Sequence, residues 1–255
     1  MFFEWKKNPE PWPRLDKDAV IVFYLSHISN PKTQSVALSI LDGEEIKRAQ
    51  AFHFEKDRIR FANVRAALKM LIAQFYLKKH EDISIIYSEY SKPMLLGENS
   101  LRFNVSHSLD SALLVFSLTK DLGVDLEGVA ADRNIDSIAK KHFSVEECAY
   151  IFEVGANEGV QRFFQLWTAK EAFLKAKGKG LWAELTEARF PLQEFIQTKK
   201  TQSEGYQLLS LELPSPDFKG ALCIKGEWDV LHCYEMSLGQ IFEELGPIQS
   251  QWFFK

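Results

Sequence analysis

The stretch LGVDLEGV, residues 122–129, alternates apolar residues with glycine and carboxylates. Successive side chains of a β-strand point to opposite faces, so one face carries Gly123, Asp125 and Glu127. The two carboxylates then lie roughly 6–7 Å apart, and their repulsion is unfavourable unless a cation or water lies between them. Oxygen ligands at this spacing suit Mg²⁺. A solvent-facing edge strand is the alternative explanation, but the flanking glycines allow a ligand close to the backbone and favour a site.

A third carboxylate lies on the helix predicted for residues 160–177. Three- and four-residue spacing defines its apolar stripe, which consists of Val160, Phe163, Phe164, Trp167 and Leu174. Glu171 falls on the same stripe, and a buried ionised carboxylate is costly unless it is paired or bound to a metal. An ion pair with Lys175, one turn later, is the structural alternative. If Asp125, Glu127 and Glu171 converge, they form a Mg²⁺ site with one carboxylate left for proton abstraction.

Lysines crowd around that helix, in the segment WTAKEAFLKAKGKGL at residues 167–181. Lysine acts as a point charge for phosphate, and a glycine-rich loop permits close approach. Lys170 and Lys175 are the two candidate phosphate ligands that we carry forward. A solvated helix end with favourable C-terminal cations is the alternative for each of them.

A second basic stripe lies on a long helix predicted to run for about six turns from Asp57. Arg58, Arg65 and Lys69 lie within about 40° of one another at 100° per residue, whereas Arg60 lies off this stripe. Ion pairing with a nearby acidic residue is the alternative for Arg58. Further polar donors that suit phosphate oxygens follow along the chain, and these are Lys92 beside Pro93, Ser106 and His107.

Length and composition exclude several classes of protein. The 255 residues, at roughly 150 per domain, suggest one large domain or two small ones. A net charge of −4 excludes a global basic field for nucleic acid or an anionic membrane, so phosphate binding must rely on local clusters. No apolar run reaches the roughly 18 residues of a membrane span, and the N-terminal segment lacks a signal-peptide core. With three scattered cysteines, we expect a cytoplasmic protein with reduced thiols.

The pattern along the chain predicts an α+β fold of two similar-sized halves, residues 1–119 and 120–255. Strands are predicted at 20–25, 83–90, 103–108, 111–118 and 122–129, with further short ones within 185–236. Three helices are predicted near 134–142, 144–153 and 160–177. The first 20 residues hold three of the nine prolines and two of the six tryptophans, and we expect an extended arm laid over the body.

Five motifs occur in a fixed order along the chain, namely SKP (91–93), FNVSHS (103–108), GVDLE (123–127), FS-x-x-E (143–147) and W-x-x-KE-x-x-x-K (167–175). Together they resemble the Sfp-type 4′-phosphopantetheinyl transferases. GVDLE followed some forty residues later by WTAKEAFLK is the specific part of this resemblance. The anchored motifs cover roughly half the chain, and the stretch after about residue 185 carries none.

The resemblance implies a pseudo-dimer of two α/β halves with coenzyme A bound in the cleft between them. It implies transfer of phosphopantetheine from coenzyme A to a serine of an apo acyl or peptidyl carrier protein, with release of adenosine 3′,5′-bisphosphate. Asp125, Glu127 and Glu171 match the Mg²⁺ ligands. Glu171 is also the candidate base, directly or through a metal-bound water, and Lys175 is the second predicted catalytic residue.

The resemblance also implies coenzyme contacts from both halves. The matching residues are Arg58, Arg65, Lys69, Lys92, Pro93, Ser106, His107, Lys170 and Lys175. Among them Lys175 matches the lysine at the pyrophosphate, and Ser106 with His107 matches contacts to the phosphate end. The Lys92-Pro93 turn matches the adenine side, and the cations of the first helix match contacts to the 3′-phosphate.

Two other functions remain open from the residues. Another Mg²⁺-dependent transferase or hydrolase of a nucleotide pyrophosphate would cleave coenzyme A without a carrier. A non-catalytic module that binds coenzyme A or a carrier would not need the third carboxylate. One cleft built by two halves favours a monomer. The net charge of −4 favours neither nucleic-acid nor membrane partners. By resemblance, residues 143–153, with a capping box of Ser144 and Glu147, are a candidate carrier-docking element, and an ordinary surface helix is the alternative.

Overall fold

The computed structural model describes residues 4–7, 9, 11–88, 92–97, 101–130, 134–178 and 184–245. Within them the strands are β1 Trp5–Lys7, β2 Ala19–Ser26, β3 Ile85–Tyr87, β4 Pro93–Leu95, β5 Arg102–Ser108, β6 Ser111–Ser117, β7 Leu122–Gly128, β8 Lys200–Ser203, β9 Tyr206–Leu211, β10 Phe218–Lys225 and β11 Val230–Ser237. The α-helices are α1 Gln34–Ile40, α2 Gly43–Gln50, α3 Glu55–Tyr76, α4 Ile135–His142, α5 Val145–Phe152, α6 Ala156–Ala176, α7 Leu192–Thr198 and α8 Leu238–Glu244. Ser91 of the SKP motif and Lys179 of the lysine-rich segment 167–181 lie outside the described residues.

The first sheet has the strand order β1-β11-β2-β6-β5. Strand β11 pairs in parallel with both β1 and β2, whereas β2, β6 and β5 pair in antiparallel fashion. Residues 230–237 therefore belong to the sheet of the first half, although the sequence analysis assigned them to the second. The predicted N-terminal arm takes part in this sheet as the short edge strand β1.

The second sheet is antiparallel, with the order β7-β10-β9-β8. Its edge strand β7 covers residues 122–128 of the stretch LGVDLEGV. Strands β3 and β4 form a separate two-stranded hairpin, and Pro93 pairs there with Tyr87. The α+β class predicted from the sequence is confirmed.

The two sheets pack face to face, and helices cover their outer faces. In β2, Phe23 belongs to the core formed with α3, whereas its neighbour Val22 belongs to the core between the sheets. In β7, Val124 likewise faces the first sheet. The outer face of the second sheet packs against α6 and other helices of the second half. This helix–sheet–sheet–helix arrangement is consistent with a pseudo-dimer in which each half has one long helix.

The two long helices were the clearest sequence prediction, and both are present. Helix α3 runs for 22 residues and ends where Leu77 adopts a left-handed backbone conformation, with φ of 50°. Helix α6 runs for 21 residues and begins after Gly155. Helix α5 begins with the predicted capping box, in which Ser144 and Glu147 each bond the other's backbone amide. Because capping and spacing are local signals, the sequence reveals them without knowledge of the tertiary fold.

Candidate active site

The site is built where α6 lies directly on the strand β7. Gly123 allows this contact, because a Cβ at position 123 would lie 2.3 Å from both the carbonyl oxygen of Ala172 and the amide nitrogen of Ala176. The sequence predicts that this glycine leaves room for a ligand, but the backbone of α6 occupies the space instead. The close approach brings the carboxylate face of β7 next to the residues of α6.

Lys175 on α6 links the helix to both sheets. Its Nζ lies 2.6 Å from Asp125 Oδ1 on β7 and donates over 3.2 Å to Ser106 Oγ on β5. The alternative pairing of Lys175 with Glu171 is therefore replaced by an ion pair with Asp125 of the same half and a hydrogen bond to Ser106 of the other half. Asp125 is only 4% exposed, and its second oxygen, Oδ2, is buried with no hydrogen-bond partner among the described residues.

Glu171 faces the same cluster. Burial raises the pKa of the Glu171 carboxyl, Lys175 lowers it, and the negative charges of Asp125 and Glu127 raise it further, with a net upward shift. The three carboxylates predicted from the sequence are thus close enough for their charges to interact. A carboxyl whose pKa is raised by burial and like charges is typical of a functional position.

The carboxylates are not assembled into a metal cage as they stand. Among the described residues, no three His, Cys, Asp or Glu side chains form a group that could hold a metal ion. The Lys175 ammonium contacts Asp125 in this arrangement. The chemistry of the donor set nevertheless fits Mg²⁺, because the oxygen Asp125 Oδ2 is buried and lacks a partner and two more carboxylates carry charges nearby.

Side chains of β5 join the edge strands of the two sheets. Asn104 Oδ1 accepts the Val124 amide over 2.9 Å, and Ser106 Oγ accepts the Leu126 amide over 3.2 Å. Ser108 Oγ accepts the Gly128 amide over 3.1 Å. Ser106 therefore belongs to the joint between the halves, beside Asp125 and Lys175. Its predicted contact with a phosphate stays a proposal, and the hydroxyl that would make this contact already bonds Asp125, Lys175 and the Leu126 amide.

The opposite face of β5 lines a cavity of about 230 Å³ under α3. Two guanidinium groups and the aromatic rings of Phe52, Phe61 and Tyr87 lie in its wall. The Arg48 guanidinium lies 4.1 Å from the centre of the Tyr87 ring. The Arg65 guanidinium lies 5.4 Å from the same ring and also bonds the Tyr87 hydroxyl. Predicted residues in the wall are Arg65, Pro93 and His107. Cations beside aromatic rings suit a planar base and a phosphate.

His107 lines this cavity and is itself an exposed residue. The loss of water around the imidazole lowers the pKa of His107, and the positive charges of Arg60 and Lys175 lower it further. Arg60 lies off the predicted basic stripe of α3, and its Nη1 lies 3.3 Å from Asp57 Oδ1. Its charge nevertheless acts on His107.

Arg48 and Tyr87 were missed by the sequence analysis. Arg48 lies on α2, which begins with a capping box of Asp42 and Glu45. That local signal was available in the sequence and predicts a helix before α3. Nothing in the sequence indicates that Tyr87 of the hairpin faces Arg48, because the two residues meet only through the tertiary fold.

Two predicted phosphate ligands are instead buried in ion pairs. Lys69 is 2% exposed, and its Nζ lies 2.9 Å from Glu45 Oε2 on α2. Lys170 is 3% exposed, and its Nζ lies 2.8 Å from Glu147 Oε1 on α5. Lys170 also donates to the carbonyl of Ala188 over 2.9 Å. Both ammonium groups are thus paired with carboxylates inside the protein, and their predicted coenzyme contacts stay predictions.

Arg58 and Lys92 also donate hydrogen bonds to carbonyl oxygens of the protein's own backbone. Exposed Arg58 donates over 2.8 Å from Nε to the carbonyl of Phe52, so it caps the loop before α3 and is not part of the cavity wall. Lys92 Nζ donates to the carbonyls of Leu122 and Lys175 over 3.1 and 3.0 Å. Lys92 therefore ties the β3–β4 hairpin to the second half, while its neighbour Pro93 lines the cavity.

Sequence comparisons agree with this architecture. Residues 121–223 match the family described as the 4′-phosphopantetheinyl transferase superfamily. Residues 29–118 match the family described as 4′-phosphopantetheinyl transferase, N-terminal. The chain therefore belongs to the 4′-phosphopantetheinyl transferase superfamily. The two matches meet next to the predicted boundary between the halves.

Individual relatives carry the same activity in their names. The 4′-phosphopantetheinyl transferase HetI of Nostoc sp. (strain PCC 7120) is 30% identical over 203 residues, which cover 78% of this chain and 85% of the relative. Sfp of Bacillus subtilis (strain 168) is 26% identical over 199 residues, covering 73% and 83%. AcpT of Escherichia coli (strain K12) is 36% identical over 98 residues, covering 38% and 50%.

These similarities confirm the resemblance to Sfp-type enzymes and the prediction that this chain is a 4′-phosphopantetheinyl transferase. Membership of the family implies coenzyme A as the donor substrate. In the described part of the chain, none of the helices has the length and apolarity needed to span a membrane.

Proposed function

We propose that this protein transfers 4′-phosphopantetheine from coenzyme A to a serine hydroxyl of an apo acyl or peptidyl carrier protein. The arrangement that carries the proposal is the cluster of Asp125, Glu127 and Glu171 around Lys175, at the joint between the halves. The cationic and aromatic cavity lies on the other face of the same strand, β5. One strand thus separates a candidate nucleotide site from a candidate site for reaction at phosphorus.

In the proposed complex the adenosine end of coenzyme A lies in the cavity. Arg48 and Arg65 supply positive charge for a phosphate, and the Tyr87 ring supplies an apolar face for the base. His107 donates to a phosphate oxygen from the cavity wall, and Arg60 adds its charge beside it. The pyrophosphate then extends past β5 toward Lys175, whose ammonium neutralises part of its charge.

The carboxylates divide two tasks in this proposal. Asp125, Glu127 and Glu171 would hold Mg²⁺, which when bound would neutralise negative charge on the pyrophosphate of coenzyme A and on the departing adenosine 3′,5′-bisphosphate. Glu171 takes the proton from the attacking serine hydroxyl, and burial, which raises the pKa of this carboxyl, makes it a better base near neutral pH. The oxygen–phosphorus bond to the carrier serine forms as the bond to adenosine 3′,5′-bisphosphate breaks.

Intact-mass spectrometry of a panel of apo carrier proteins tests this proposal. Each carrier is incubated with the protein, coenzyme A and Mg²⁺, and we expect one phosphopantetheine to be added to at least one carrier. The addition should be lost with EDTA and with Glu171→Gln. A serine-to-alanine variant of the modified carrier is the matched control and should gain no mass.

Other outcomes would contradict the proposal. Cleavage of coenzyme A without any carrier would favour a hydrolase of nucleotide pyrophosphates. Binding of coenzyme A with no mass gain across the panel, and unaltered binding by Glu171→Gln, would favour a non-catalytic module. The predicted monomeric state and cytoplasmic location stay predictions beside this proposal.

A further inference from the structure

The joint between β5 and β7 repeats one hydrogen-bond pattern twice. Ser106 Oγ accepts the amide of Leu126 over 3.2 Å and donates to Asp125 Oδ1 over 2.8 Å. Two residues further along both strands, Ser108 Oγ accepts the amide of Gly128 over 3.1 Å and donates to Glu127 Oε2 over 3.1 Å. Each serine thus bonds one carboxylate and the backbone amide that follows it.

This double contact fixes the direction of the hydroxyl. A serine hydroxyl has one hydrogen and two lone pairs, so the amide of Gly128 occupies a lone pair of Ser108 Oγ and the hydrogen is available for the carboxylate. The backbone of β7 thereby orients the donor that contacts Glu127. A hydrogen bond to an ionised acceptor is stronger than one between neutral groups, so the contact restrains the carboxylate effectively.

Such a restraint counters the repulsion among the carboxylates. Asp125, Glu127 and Glu171 gather three negative charges in one cluster, and their repulsion favours movement of a long side chain toward solvent. Asp125 is short and buried and has Lys175 and Ser106 as partners. Glu127 is longer and only half-buried, so a donor from the neighbouring strand limits the positions its carboxylate can take.

We propose that Ser108 is a positioning residue of the reaction, whose hydroxyl holds Glu127 aimed at the divalent-cation site. The inference rests on the proposed function, since it concerns the carboxylate set that would bind Mg²⁺. Residues that hydrogen-bond to metal ligands orient them, and their loss typically weakens metal affinity by about 10- to 100-fold. Ser108 contacts neither the reacting atoms nor the coenzyme cavity in this assignment.

The inference is tested by titrating the full chain with Mn²⁺. The electron paramagnetic resonance signal of free Mn²⁺ measures how much of the ion is bound. We expect Ser108→Ala to weaken Mn²⁺ binding by about 10-fold or more relative to the wild type. Ser108→Thr keeps the hydroxyl and should retain wild-type affinity. Ser108→Val has the shape of the threonine variant without the hydroxyl and should bind Mn²⁺ as weakly as Ser108→Ala. Ser117→Ala is the matched control on β6, because Ser117 Oγ is buried with no partner among the described residues.

Turnover supplies a second readout. The Mg²⁺ concentration for half-maximal rate should rise in Ser108→Ala, while kcat at saturating Mg²⁺ and the KM for coenzyme A stay close to wild type. Equal Mn²⁺ affinities for the threonine and valine variants, both folded by melting temperature, would overturn the positioning role and leave the proposed function intact. A wild-type protein that binds no Mn²⁺ would overturn the metal site itself, and the role of Ser108 with it.

Discussion

Glu171 is an acidic residue in a partly buried position beside two other carboxylates, an arrangement that does not favour stability. It is half-buried on α6, and burial together with two neighbouring carboxylates raises the pKa of its side chain against the effect of Lys175. In the folded protein at neutral pH, ionisation of Glu171 is therefore less favourable than in the unfolded chain. The residue destabilises the protein in the absence of a ligand, which is common for groups whose chemistry requires an unfavourable environment.

A glutamine at position 171 should separate stability from activity. Because the folded-state pKa is raised, stability from this group is present below the unfolded value of about 4.5 and is lost as the pH rises through the folded value. Glu171→Gln should therefore raise the melting temperature at pH 7.5 while lowering kcat by about 100-fold or more. Calorimetry and carrier-modification rates measure the two effects. A variant that loses stability and activity together would indicate a structural role instead.

His107 should contribute a pH dependence of the opposite sign. The loss of water around the imidazole and the positive charges of Arg60 and Lys175 lower its pKa in the folded state below its usual 6.5. Between the two values the unfolded chain binds more protons, so the free energy of unfolding falls as the pH falls below 6.5. His107→Gln should make this fall shallower in urea unfolding measured from pH 7.5 to 5. Parallel curves for the two proteins would contradict the assigned environment of His107.

At the scale of secondary structure, the contact between α6 and β7 determines the site. Both elements are recognisable from their periodicity, and the odd positions of β7 face the helix as the alternation predicts. The sequence does not reveal how close the two backbones come. Gly123 sets that distance, because the helix occupies the volume that a side chain at this position would need.

Gly123→Ala should separate the two elements. The added Cβ would lie 2.3 Å from two backbone atoms of α6, which no side-chain movement can relieve. We expect a loss of about 3 kcal/mol or more in the free energy of unfolding, at the upper end for overpacking, and a loss of turnover. Denaturant unfolding measures the first. Gly43→Ala, whose Cβ meets nothing within 4 Å in α2, is the matched control and should be neutral or slightly stabilising.

At the scale of the whole molecule, the halves are intertwined rather than consecutive. Strand β11 from residues 230–237 lies between β1 and β2 in the first sheet. Helix α8, which follows β11, contributes Ile241 and Phe242 to the core around α3. The first half is thus completed only by β11 and α8, which come after the second sheet in the sequence. These two elements connect the halves in addition to the polar joint between β5 and β7.

A fragment of residues 1–119 should therefore not fold by itself. Without β11 the strand β2 exposes an unpaired edge, and the core around α3 loses the side chains of α8. Far-UV circular dichroism and urea unfolding should show no cooperative transition for this fragment. The same fragment fused through a long Gly/Ser linker to residues 228–245 should regain one. Cooperative unfolding of residues 1–119 alone would contradict this view of the first half.

The sequence by itself determined the α+β class, the two long helices, the face of β7 that carries the carboxylates and the family resemblance. These features follow from spacing along a short stretch of chain, which helix and strand geometry converts directly into shared faces. The α5 capping box belongs to the same group. The spacing of residues along a strand or a helix shows which side chains share a face of that element. That information was sufficient to select Asp125 and Glu127 on the strand and Glu171 on the helix.

Only the tertiary structure showed which cations pair with carboxylates inside the protein. Lys69 and Lys170 have the residue type and spacing of phosphate ligands, yet carboxylates on α2 and α5 bury them in ion pairs. Periodicity places a side chain on a face but does not specify what packs against that face, because the partner is distant in the sequence. For the same reason Tyr87 beside Arg48, the return of β11 and the contact of Ser108 with Glu127 became visible only in the folded chain.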